Sequence, residues 1–256
     1  MRLLLLLLLG LSPFYLLAQG LDDYEFRQFL RPAGDTINYR ILFPPGYEQS
    51  QAQYPLVLFL HGAGERGDDN ELQLVHGARL FLDSIERYPA IVVFPQCPKD
   101  SYWVRLEAEG QIPNRTLVFP FYEDPAPPLQ KVIDLLDILL LTEKVDESRL
   151  YLGGLSMGGF GTFDLLARRP NTFAAAFPIC GGSNSLLAPL YAGHTRMWIF
   201  HGTKDEVVPA ELSRRMYRAL QDAGAQVKYT EYPEANHDSW TPAFAEPDFL
   251  RWLFQQ

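Results

Sequence analysis

Five residues, Gly154-Leu155-Ser156-Met157-Gly158, carry the strongest chemical signal in this chain. An apolar run, Leu150-Tyr151-Leu152, precedes them, and a helical pattern over 160–168 follows. Strand, Gly-x-Ser-x-Gly, helix is the sequence form of a tight bend that lifts a serine hydroxyl out of the backbone. Glycines on either side keep the neighbouring chain from clashing there. A hydroxyl is a poor nucleophile at neutral pH. It needs a base to take its proton and a carboxylate to orient that base. Behind a bend of this type the partners follow in the order serine, acid, histidine.

Three histidines lie downstream: His194, His201 and His237. Only His237 falls beyond the last predicted strand, in the loop 234–238 before the final helix. A side chain there can reach back over the sheet edge, so His237 is the predicted base. Asp205, in the turn after the predicted strand 197–200, is the predicted acid, with Glu206 and Asp238 as rivals. His201 opens the same turn and is expected to be hydrogen-bonded structure. Attack on a carbonyl creates an oxyanion, which needs preorganised N–H donors. The Met157 N–H, directly after the serine, is one candidate. The loop His61-Gly62-Ala63-Gly64-Glu65-Arg66-Gly67 supplies the other, from Ala63 or alternatively Gly64. No Gly-Lys-Ser/Thr follows this loop, so it is not a phosphate cradle. With five scattered histidines, no His-Glu-x-x-His and two distant cysteines, no metal and no cofactor is expected. Trp103 and Trp240 are candidate walls of a substrate pocket, and each could equally be core.

The elements that must position these residues alternate along the chain. Strands are predicted over 24–30 and 37–43, joined by a hairpin turn, then over 56–60, 91–94, 150–152, 174–179, 197–200 and 227–232. The central runs are continuously apolar, as strands buried on both faces should be. Helices are predicted over 129–141, 160–168, 211–223 and 244–254; Pro127-Pro128 opens the first and Gly224 closes the third. The alternation predicts an α/β fold, with about eight mostly parallel strands and helices on both faces. The proline-rich segment 105–128 breaks the pattern and reads as a lid, a substrate-binding insertion or a surface excursion packed by its own aromatics.

Composition bounds the partners. The 256 residues are 47% hydrophobic and 21% charged, with a net charge of -9. That acidity argues against nucleic acid and anionic membrane surfaces. Met1-Arg2, a leucine run and Ala18 read as a signal peptide over 1–18, cleaved after Ala18, leaving a single catalytic domain over 19–256 in a secreted or periplasmic protein. The apolar run falls short of the roughly 20 residues of a membrane span, so no stable anchor is expected. Cys97 and Cys180 read first as two buried small hydrophobes, with a disulfide as the other possibility.

Four motifs in order, Leu60 to Gly67, Gly153 to Gly159, His201 to Asp205 with Val208-Pro209, and His237-Asp238-Ser239-Trp240, resemble the α/β-hydrolase superfamily. More narrowly they resemble its secreted phospholipase/carboxylesterase and feruloyl-esterase-like group, often described as prolyl-oligopeptidase-like or as predicted peptidases. The resemblance implies Ser156, Asp205 and His237 as a triad, the oxyanion loop at Ala63, and cleavage of small-molecule or polysaccharide-linked esters. The alternatives are a small-peptide serine peptidase and, from another class, a binding protein on a hydrolase scaffold.

Overall fold

Apolar side chains on both sides of the central strands fix the architecture. In β3 (Tyr54–Leu60), Leu56, Leu58 and Leu60 face one core layer while Val57 and Phe59 face the other. β4 (Ile91–Pro95) splits likewise, Ile91 and Val93 against Val92 and Phe94. A run that is apolar at every position therefore still alternates with the period of a strand. The computed structural model describes residues 20–32, 34–111 and 116–255. The predicted signal peptide and its cleavage point lie outside these residues. Among the described residues, no helix is long and apolar enough to cross a membrane.

The antiparallel hairpin of β1 (Glu25–Leu30) and β2 (Thr36–Leu42) starts an eight-stranded sheet. β7 (Val145–Leu155), β8 (Ala175–Ile179), β9 (Arg196–Gly202) and β10 (Val227–Tyr232) complete it. The order is β1-β2-β4-β3-β7-β8-β9-β10, and every pair from β4 onward is parallel. Parallel strands all end on the same side, so the loops after β3, β7, β8, β9 and β10 share one rim. Ser156, Asp205 and His237 all fall in that rim.

Helices cover both faces. α2 (Pro127–Thr142), α3 (Met157–Arg168) and α4 (Glu211–Asp222) pack one layer; α1 (Ala78–Ser84), α5 (Trp240–Phe244) and α6 (Phe249–Phe254) pack the other. One sequence expectation is corrected. The helix expected over 244–254 is two short ones, because Pro247 has no N–H and cannot continue the first. The segment 105–128 contains a small antiparallel pair, β5 (Glu107–Glu109) with β6 (Thr116–Val118). It is tied down from α3: Arg168 donates to the carbonyls of Tyr122 and Glu123, and its guanidinium lies over the Phe121 ring.

Candidate active site

The bend at Ser156 is as tight as its glycines imply. Ser156 has φ 53° and ψ −116°, a left-handed conformation that costs energy for any residue with a Cβ. A Cβ on Gly158 would lie 1.9 Å from the Leu60 carbonyl oxygen, and one on Gly154 2.4 Å from that of Gly158. Only glycine permits that approach of elbow to β3. The Ser156 N–H donates to the Ile179 carbonyl, tying the bend to β8.

Three side chains form a continuous hydrogen-bonded row. His237 Nε2 is 3.0 Å from Ser156 Oγ, and His237 Nδ1 is 2.8 Å from Asp205 Oδ2. The Asp205 carboxylate is fully buried, whereas the His237 side chain keeps 21% of its surface exposed. Asp205 Oδ1 accepts from the N–H groups of Val207 and Val208, and Oδ2 also lies 3.2 Å from His201 Nε2. Burial alone would raise this carboxyl's pKa. Hydrogen bonds from His201, His237 and the Val208 N–H more than offset it, so the group is held well below the usual carboxylate range. His201 is itself buried and bonded to Ser213 Oγ, the structural part expected of it. The rival carboxylates point elsewhere. Asp238 accepts from Thr241, and Glu206 is exposed, with its backbone N–H bonded to Asn236.

The proposed oxyanion donors follow the ends of neighbouring strands. Leu60 of β3 is in register with Gly154 of β7, so Ala63 and Met157 each lie three residues past a paired position. Met157 begins α3 and Ala63 begins a short 3-10 turn, where helix geometry leaves the first N–H groups without an internal acceptor. His61 braces the loop between them. The Cys97 N–H donates to His61 Nε2, so the ring proton sits on Nδ1, 2.6 Å from the Gly62 carbonyl.

The tryptophans part company. Trp103 is fully buried, and its indole N–H donates to the His61 carbonyl. It holds the loop as part of the core, one of the two readings its sequence left open. Trp240 is half-buried and stands edge-on to His237 at 5.5 Å between ring centres.

Residues 123–248 match the family model of Phospholipase/Carboxylesterase. A solved thermostable esterase is 36% identical, with a TM-score of 0.81 over 92% of this chain and 64% of that one. An uncharacterized secreted protein of Arthroderma benhamiae is 24% identical over 90% of this chain. A bifunctional acetylxylan esterase/xylanase of Neocallimastix patriciarum is 28% identical over 44% of this chain. The chain spans 26% and 18% of the lengths of these two curated relatives. The sheet order, the elbow and the esterase likeness agree. This chain has the α/β-hydrolase fold.

In this α/β-hydrolase fold the cysteines are both free and buried. Cys180 Sγ comes within 4.8 Å of ligand atoms of Asp205 and His237, a grouping able in principle to hold a cation. Its donors are ill suited: burial pushes the Cys180 thiol far up, and Asp205 and His237 bond to each other. Sequence reasoning missed Asn236, whose side-chain oxygen accepts from the N–H groups of Glu206 and His237 and so couples the acid and base loops.

Proposed function

We propose that this α/β-hydrolase is a secreted serine esterase cleaving carboxylic esters through an acyl-enzyme. The observation that carries the reading is the row Ser156–His237–Asp205, at 3.0 and 2.8 Å. His237 Nε2 takes the hydroxyl proton as Ser156 Oγ bonds to the ester carbonyl carbon. The oxyanion is held by the N–H groups of Met157 and Ala63. His237, now a cation oriented by Asp205, gives its proton to the leaving alcohol as the C–O bond breaks. Water then repeats the cycle on the acyl-serine, returning the acid and the free hydroxyl. The esterase likeness supports ester over amide substrates, and the residues over 1–18, with the secreted relative, support export.

The test is hydrolysis of 4-nitrophenyl esters from acetyl to dodecanoyl by the wild type and by Ser156→Ala. The variant is expected to lose at least about a thousandfold in kcat/KM with its fold intact. Equal rates in both proteins, or none in folded wild type, would reject the reading; a peptide panel run alongside separates the peptidase alternative.

A further inference from the structure

A cleft that the steps above do not use is walled by β6, the loop after β8 and the start of α4. It has a volume of about 450 Å³, and Leu117, Phe119, Leu212, Ser183, Asn184 and Arg215 are among its lining residues. A chain of contacts joins it to the elbow. Gly159, in the first turn of α3, packs directly on Gly181, and Gly182 packs on Leu212. On the opposite wall Phe119 packs against Phe160, also in that first turn, at 5.0 Å between ring centres.

Its chemistry is two-sided. Leu117, Phe119 and Leu212 give it apolar surface, and its charged lining residues are Arg215 and Glu211, the latter paired with Arg214 and Arg218. α4 carries Arg214, Arg215 and Arg218. Arg214 forms a two-pronged pair with Glu231, and Arg218 is paired with Glu211. Arg215 lines the cleft, is exposed, and has no ion pair or hydrogen bond among the described residues. The Asn184 side-chain oxygen caps the following turn by accepting from the Leu186 N–H, which leaves its NH2 group free to donate. In a protein of net charge -9, Arg215 is the cleft cation left without a carboxylate, Glu211 being taken by Arg214 and Arg218. A guanidinium matches a carboxylate geometrically, through two parallel N–H donors.

We infer that this cleft is a specificity subsite for esters whose far end carries a carboxylate, which Arg215 receives while Phe119 and Leu117 cover the intervening apolar chain or ring. The inference rests on the serine-esterase reading for its kinetic arm only. That arm compares 4-nitrophenyl hemiesters of the eight- to ten-carbon dicarboxylic acids with the same esters capped as terminal amides, in the wild type and Arg215→Gln. The ratio of kcat/KM between the two esters is taken within each protein, so changes in folded fraction cancel. The wild type is expected to prefer the carboxylate about tenfold at one chain length, and Arg215→Gln to lose that preference. No preference in the wild type, or one that persists in Arg215→Gln, overturns the subsite.

A binding arm separates failure of the subsite from failure of the esterase reading. NMR titration of Ser156→Ala with 4-phenylbutyrate and with 4-phenylbutanamide should show tighter binding of the anion, abolished in Ser156→Ala/Arg215→Gln. That result together with a folded wild type that hydrolyses no ester keeps the subsite and rejects the esterase. Equal binding of acid and amide rejects the subsite whatever the kinetics.

Discussion

His61 acts on the site without facing a substrate, and its environment gives a pH prediction. Burial, first, penalises the charged ring, and the lowering outweighs the bond to the Gly62 carbonyl, so the pKa falls from the ordinary 6.5 to about 4. Below about 6.5 the unfolded chain gains a proton there that the folded chain refuses. Folded-state stability is therefore full above that pH and falls as pH drops toward about 4, by on the order of 3 kcal/mol in total. Urea midpoints at pH 7.5 and 5 should show a smaller drop in His61→Asn than in wild type; matching drops would refute the assignment. Asp205 acts in the same sense at lower pH. Its depressed pKa contributes stability above the carboxylate range that is lost on strong acidification.

Where two loops must meet, one glycine sets the spacing. A Cβ on Gly202, at the end of β9, would lie 2.2 Å from the Asn236 carbonyl oxygen and 2.5 Å from that of Ala235. Backbone bonds hold the same seam: the Thr203 N–H donates to Tyr232 and the Lys204 N–H to Ala235. Gly202→Ala should therefore destabilise the protein by at least about 2 kcal/mol and cut turnover, by pushing the Asp205 loop off the His237 loop. Gly193, where a Cβ would meet nothing within 4 Å, is the control, and alanine there should change stability by under about 0.5 kcal/mol. Thermal melts and 4-nitrophenyl acetate turnover on the two variants decide it. A Gly202→Ala protein as stable and active as Gly193→Ala would show that the seam gives way without cost.

At the scale of the whole molecule, two aromatic-rich layers enclose the sheet and bury both cysteines. Burial pushes the Cys97 thiol up to about 12 and that of Cys180 further still. An aromatic disulfide reagent should label neither thiol in the native protein and both in concentrated guanidinium chloride; rapid native labelling of either would contradict the packing. Sequence alone determined the strand and helix series and the order of the motifs, because periodicity, turn residues and the glycine-bounded bend are properties of contiguous residues. It also held a signal that was passed over, Pro247, which divides the last helix. The seven-residue α1 was invisible for a different reason: it is too short to display a period. Which carboxylate meets His237 was another matter. Asp205, Glu206 and Asp238 are close in sequence to the right place, and only the folded loops point Asp205 inward onto His201 and His237. The same holds for Trp103, turned inward beneath His61, and for the cleft at Arg215, whose walls come from β6, the loop after β8 and α4. Side-chain direction and the meeting of distant segments are set by packing, and no local stretch of sequence contains them.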